Sequence, residues 1–189
     1  MNRRHFLKAS LAAMPLALRS AAAETAPGDV DRLGSGFRVG ANEDRYREEL
    51  LIMGGRFDLK VSAKDTGGDF CLYDTTRQSK GGPALHRHHS QDEWFYIVRG
   101  DFIAQVGSVT LRLHPGDSAF APRRIPHAFS KVGEDEGQML IMFQPAGSME
   151  DFFQQMARFG PSIPKDEEAL MRDVCKHHGM EVVGPPLRY

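Results

Sequence analysis

Little in this chain is extreme, and several function classes fall away for that reason. Lysine and arginine number 24 against 25 aspartates and glutamates, a formal net charge of −1. A balance of that kind supplies no cationic surface for a polyanion, so no nucleic-acid partner is expected. Cysteine occurs twice, at Cys71 and Cys175, too few for a disulfide framework. Nothing in their placement decides between one bridge and two separate small apolar side chains. Long apolar runs are also missing. The longest near the start, LAAMPLAL, is too short to span a bilayer. No internal repeat and no low-complexity tract interrupts the chain.

That short apolar run follows Arg3, Arg4, Phe6, Leu7 and Lys8, and it precedes Ala21, Ala22 and Ala23. A basic start, a brief apolar stretch and a small-residue site describe a secretory signal peptide over residues 1–23. The paired arginines resemble a twin-arginine signal, which implies a periplasmic mature protein. No cysteine suited to lipidation follows, so no stable membrane anchor is expected after cleavage. What remains is the size of one domain and long enough to bury a core unaided.

From about residue 50 the chain reads as strand after strand. FDLKVSA and DFCLYDTT are separated by the turn-like KDTGG; EWFYIVRG, HAFSKV and QMLIMFQ follow. Gly100-Asp101 and Gly107-Ser108 read as two-residue hairpin links, and Pro115-Gly116 suits a type II turn. Strands every eight to twelve residues, about the spacing of antiparallel barrels and sandwiches, argue against a parallel α/β sheet. Helical periodicity appears late. Ser148 is a candidate cap for MEDFFQQMARF, whose Met149, Phe152, Phe153, Met156 and Phe159 make one apolar stripe. DEEALMRDVCKHH forms a second candidate helix, with His177 and His178 expected as a solvated pair at its C-terminus. MEVVGPPL is expected as an edge strand.

The chemistry concentrates in HRHHSQDE and RRIPHAF. In an extended strand alternate side chains share a face, so His86 and His88 project together and His89 projects away. Glu93 begins the next strand pattern and His127 opens another. All four meet only if the strands curl into a barrel. Imidazoles with a carboxylate suit one divalent transition metal, whether iron, manganese, nickel, copper or zinc. In EWFYIVRG, Glu93, Phe95 and Ile97 share one face and Trp94, Tyr96 and Val98 the other. A strand with large apolar groups on both faces needs covering on both, and a homodimer is the expected solution.

The spacing of these residues resembles the cupin superfamily. Its first motif, G-x5-H-x-H-x3-4-E-x6-G, is met by His86, His88, Glu93 and Gly100, with Gly81 and Gly82 beside the expected position of the leading glycine, Lys80. Its second, G-x5-P-x-G-x2-H-x3-N, is met by Gly116, Pro122 and His127, while Arg124 replaces a glycine and Lys131 an asparagine. The resemblance implies an all-β fold: a cupin-type antiparallel β-barrel, or jelly roll, over residues 24–145, with a C-terminal helical extension and edge strand over 146–189. It implies His86, His88, Glu93 and His127 as metal ligands. The wording of the two segments is similar to single-domain quercetin-dioxygenase-like cupins. That likeness implies metal-dependent oxygenation of a small phenolic or enol-type compound, with Glu93 as a catalytic base. A metal-dependent isomerase or lyase and a non-catalytic periplasmic binder of small molecules stand as alternatives. Phe95, Phe120, Phe129, Met139 and Ile141 are expected to line the substrate pocket.

Overall fold

The computed structural model describes residues 34–160, 162 and 165–188; the expected signal peptide over 1–23 lies outside them. Eleven strands occur among the described residues: β1 (Leu50–Ile52), β2 (Gly55–Val61), β3 (Cys71–Arg77), β4 (Ala84–His88), β5 (Asp92–Arg99), β6 (Phe102–Val106), β7 (Val109–Leu113), β8 (Ser118–Ala121), β9 (His127–Lys131), β10 (Gly137–Gln144) and β11 (Met180–Pro186). They form two antiparallel sheets, one in the order β1-β2-β3-β10-β5-β8 and the other β11-β4-β9-β6-β7. The two sheets make an antiparallel jelly-roll barrel with a small helical C-terminal part. Among the described residues there are also three α-helices, α1 (Ala63–Thr66), α2 (Met149–Ala157) and α3 (Glu168–His177), and a short 3-10 turn, Lys165–Glu167. None is long and apolar enough to cross a membrane.

Alternation builds the interior. In β3, Cys71, Tyr73, Thr75 and Arg77 are buried while Leu72, Asp74 and Thr76 are half-buried, and β10 repeats the pattern with Gly137, Met139, Ile141 and Phe143. These strands pair in register, Ile141 opposite Tyr73 and Phe95, so the inward side chains meet in one layer. The stripe on α2 then closes the core. Met149, Phe152, Phe153 and Met156 are buried, and Phe153 lies 4.7 Å from the Tyr73 ring and 5.0 Å from Phe57 between centroids.

Several local expectations change. KDTGG is not a bare turn: Ser62 and Asp65 make a reciprocal capping box, which allows the single-turn helix α1 before Gly67 at φ 65°. Gly100-Asp101 has the chemistry of a tight turn, with Gly100 at φ 77°, yet it carries the chain from β5 in one sheet to β6 in the other instead of closing a hairpin. Gly107-Ser108 does close one, between Val106 and Val109. At Pro115-Gly116 the Asp117 amide donates to the His114 carbonyl at 2.9 Å and Gly116 takes φ 95°, as a type II turn requires. Ser148 makes no side-chain cap to α2. Its hydroxyl instead meets His178 Nδ1 at 2.8 Å, so His178 is buried and not part of a solvated pair. Both cysteines are free and buried.

Candidate metal centre

Three strands deliver the four side chains. β4 presents His86 and His88 inward, β5 begins with Asp92 outward and Glu93 inward, and β9 opens on His127, which pairs across the sheet with His86. Their nitrogen and carboxylate ligand atoms all lie within 4.8 Å of one another. Glu93 Oε2 is the point of convergence: His127 Nε2 stands 2.8 Å from it, His88 Nε2 3.2 Å and His86 Nε2 3.9 Å. His88 and His127 are fully buried and Glu93 nearly so. Asp92, the neighbouring carboxylate, is turned away and held by Arg123 at 2.6 Å. That pairing separates the two acids: Asp92 has a surface partner, whereas Glu93 has the imidazoles.

The outer nitrogens fix the rings. His86 Nδ1 meets the Ala84 carbonyl at 2.8 Å and His127 Nδ1 meets the Ile125 carbonyl at 2.8 Å, each the carbonyl two residues back. A carbonyl only accepts, so each Nδ1 carries a proton; His86 Nε2 is left with a lone pair for the centre, and His127 Nε2, which donates to Glu93 at 2.8 Å, would free its lone pair on yielding that proton to a cation. His88 is different. Both of its nitrogens are buried without a hydrogen bond; Nε2 is near Glu93 but misaligned for one. An orphaned buried imidazole is costly, and a cation at the centre would satisfy it. The donor set therefore fits a divalent transition metal, and the four residues form a cluster able to hold one.

The electrostatics agree. Burial alone would raise the Glu93 carboxyl, but the hydrogen bond with His127 and the nearness of the His88 imidazole outweigh it and hold the group well below the usual carboxylate range. Burial pushes His86 down to about 4, helped by the neighbouring His127, which leaves it a neutral ligand near neutral pH. For His127 burial works downward and Glu93 works upward; the carboxylate wins.

The loop before His127 explains how the departures from the second motif are tolerated. Arg124 takes φ 68°, the left-handed conformation for which a glycine is the usual choice, and its amide donates to the His88 carbonyl at 2.7 Å. The backbone strain, about 1–2 kcal/mol for a residue with a Cβ, is met by a bond that ties this turn to a strand of the cluster. Lys131 is buried at the far end of β9, and its ammonium donates to the Gly133 carbonyl at 2.5 Å.

A cleft runs from the cluster toward the helices. Its walls include His86, His88 and Glu93, then Phe129, Ile141, Phe143, Phe152, Phe153, Met156 and Met180, and it encloses about 760 Å³ of empty space counted to its open mouth. Phe129 and Ile141 stand where alternation put them. Phe95 and Met139 are buried core residues. Phe120 is 57% exposed and does not line the cleft, because Ala119 and Ala121 occupy the inward positions of β8. Arg77 and the methionines from α2, α3 and β11 were not anticipated. For Arg77 the signal was present, since period-two spacing from Cys71 places it on the inward face.

Comparison with known proteins agrees with this architecture. Residues 75–143 match the family described as Cupin domain. An uncharacterized protein of Streptomyces coelicolor is 32% identical over 60 residues, 32% of this chain and 56% of that one. An uncharacterized protein of Methanocaldococcus jannaschii is 27% identical over 67 residues, 35% of this chain and 54% of that one. The chain thus spans about half the length of the curated relatives it matches. Among solved structures, ectoine synthase from P. lautus superposes with a TM-score of 0.52 at 14% identity, over 82% of this chain and 94% of that one. At these identities the structural likeness speaks for the fold alone. Fold, motif spacing and family match together support the cupin superfamily, with the candidate metal centre inside the matched segment.

Proposed function

We propose that this protein is an exported, metal-dependent dioxygenase acting on a small phenolic or enol-type compound. One observation carries the reading: a buried cluster of three imidazoles and a carboxylate stands at the end of a cleft walled by phenylalanines and methionines. His86, His88, His127 and Glu93 would hold the metal. Bound there, iron, manganese, nickel, copper or zinc would supply Lewis-acid chemistry, and a redox-active member of that group electron transfer as well.

The chain's own residues supply the rest. Phe129, Phe143 and Phe153 bury a planar apolar substrate and displace water from the cluster. Glu93 is ionised, so its Oε2 can accept the proton of a phenol or enol hydroxyl brought within hydrogen-bond reach. The imidazoles stay oriented by the Ala84 and Ile125 carbonyls throughout. The test is oxygen uptake by the metal-loaded protein over a panel of phenols and enolisable ketones. Substrate-dependent uptake is expected. Turnover without oxygen would indicate an isomerase or lyase on the same site, and binding without product a carrier; either result replaces the dioxygenase reading. Export rests on residues 1–23, and recovery of the protein in the periplasmic fraction, lost on changing Arg3 and Arg4 to lysine, would support it.

The outer face of the six-stranded sheet favours self-association. Leu72, Met142, Trp94 and Phe120 are successive cross-strand partners in β3, β10, β5 and β8, an apolar row across the sheet. Trp94 stacks on Tyr96 at 5.8 Å, yet neither is fully buried. Such a row is costly in water and self-complementary about a two-fold axis. Sedimentation at micromolar concentration is expected to show a dimer that Trp94→Glu with Phe120→Glu converts to monomer; a monomeric unmodified protein contradicts it.

A further inference from the structure

Outside the metal cluster, the wall of the cleft carries one charged side chain among the described residues, Arg77. It is the last residue of β3 and points inward with Cys71, Tyr73 and Thr75, 5% exposed. Its Nη1 donates to the Met53 carbonyl at 3.0 Å, but Nε is buried with no partner. The guanidinium lies 5.9 Å from the centroid of the Phe129 ring, which faces the same cleft. No carboxylate among the described residues comes within ion-pair distance of it. Burial accordingly pushes its pKa below the ordinary arginine value, with no acid to offset the shift.

A buried arginine normally has a carboxylate, because an unpaired cation in an apolar setting is unfavourable and the guanidinium offers several donors in a fixed fork. Here the remaining wall is phenylalanine, methionine and aliphatic carbon, which offers that fork nothing. The donor set of this cleft-lining side chain is therefore incomplete.

We propose that Arg77 anchors the carboxylate of the ligand, so that the cleft takes an apolar acid whose body lies against Phe129 and Phe153 and whose far end reaches the cluster. This rests on the reading of the cleft as the substrate site and narrows its substrate class from phenols and enols in general to those carrying an acid group. Arginine supplies the bidentate pair that a carboxylate accepts. The two polar stations of one apolar cleft fix the ligand's direction, with the reacting end at Glu93 and the charged end at Arg77.

The test compares 3-phenylpropionate with 3-phenylpropanol, which share an apolar body and differ in the charged group, by calorimetric titration of the zinc-loaded full chain. The acid is expected to bind at least tenfold more tightly than the alcohol. Arg77→Met should bring the two affinities together while zinc content stays unchanged, and Arg77→Lys should retain only part of the preference, since an ammonium cannot form the bidentate pair. Equal affinities in the unmodified protein overturn the proposal, even if Arg77→Met fails to fold. A preference that survives Arg77→Met but disappears in His88→Ala also overturns it, because the acid would then sit on the metal. Absence of oxygen uptake across the panel, with the acid preference intact, sinks the dioxygenase reading and leaves this one standing.

Discussion

Glu93→Gln is expected to lower turnover in the oxygen-uptake assay by roughly 100- to 10,000-fold, the usual worth of a positioned general base, while leaving the fold intact. The expectation follows from the geometry of one oxygen. Glu93 Oε2 is approached by three imidazole nitrogens, and the hydrogen bond with His127, together with the nearby His88 ring, keeps it ionised despite nearly complete burial. Glutamine keeps the shape and an acceptor oxygen for His127, but it cannot take a substrate proton and brings no charge to a bound cation. Assayed with saturating metal, the variant separates those two jobs. Restored metal content with lost turnover assigns proton transfer to Glu93, and lost metal content assigns ligation. Unchanged oxygen consumption removes Glu93 from the chemistry altogether, since Asp92, its neighbour, is already committed to Arg123.

Gly82→Ala is expected to destabilise the fold by about 3 kcal/mol or more, as forced overpacking against backbone does. A melting temperature roughly 6–12 °C lower is the corresponding readout. An added Cβ at Gly82 would stand 1.9 Å from the Phe129 carbonyl oxygen and 2.8 Å from its carbon. Neither is the end of a flexible side chain, so the backbone must move. The neighbouring segment resists, because Gly81 and Lys131 exchange two hydrogen bonds, each 3.0 Å. Displacing this stretch pulls β4 away from β9, and the cross-strand pair joining those strands is His86 with His127. Metal affinity should fall with stability. A Gly82→Ala protein with the parent's melting temperature and metal affinity would show that the close approach is dispensable.

The legible parts of this molecule were those governed by alternation and spacing. His86 and His88 lie two apart, Glu93 and His127 each begin a strand, and their convergence needs no information beyond the period of an extended chain and a closed barrel. Phe120 shows what happens when hydrophobicity is read ahead of alternation. Strand β8 puts two alanines inward and the large ring outward, because the cross-strand neighbour that shares its face is Trp94. Turn chemistry had a similar limit. Gly100 supplies the positive φ for a reversal, yet the residues of a turn do not say whether the chain returns to the same sheet or crosses to the opposite one. Ser148 was read as a helix cap from local sequence, and a histidine thirty residues away took its hydroxyl. Arg77 was half legible: period two from Cys71 places it inward, but at the end of DFCLYDTTR an arginine resembles an ordinary strand terminus, and its lack of an acid partner is a matter of the folded chain.

The proposed chemistry requires that His86, His88, Glu93 and His127 share one cation. X-ray diffraction from metal-loaded crystals, with data collected on either side of the metal's absorption edge, tests that directly. A single anomalous peak within bonding distance of His86, His88 and His127 Nε2 and of the Glu93 carboxylate is the predicted result. A peak elsewhere, or none in a protein that retains its metal, would contradict it.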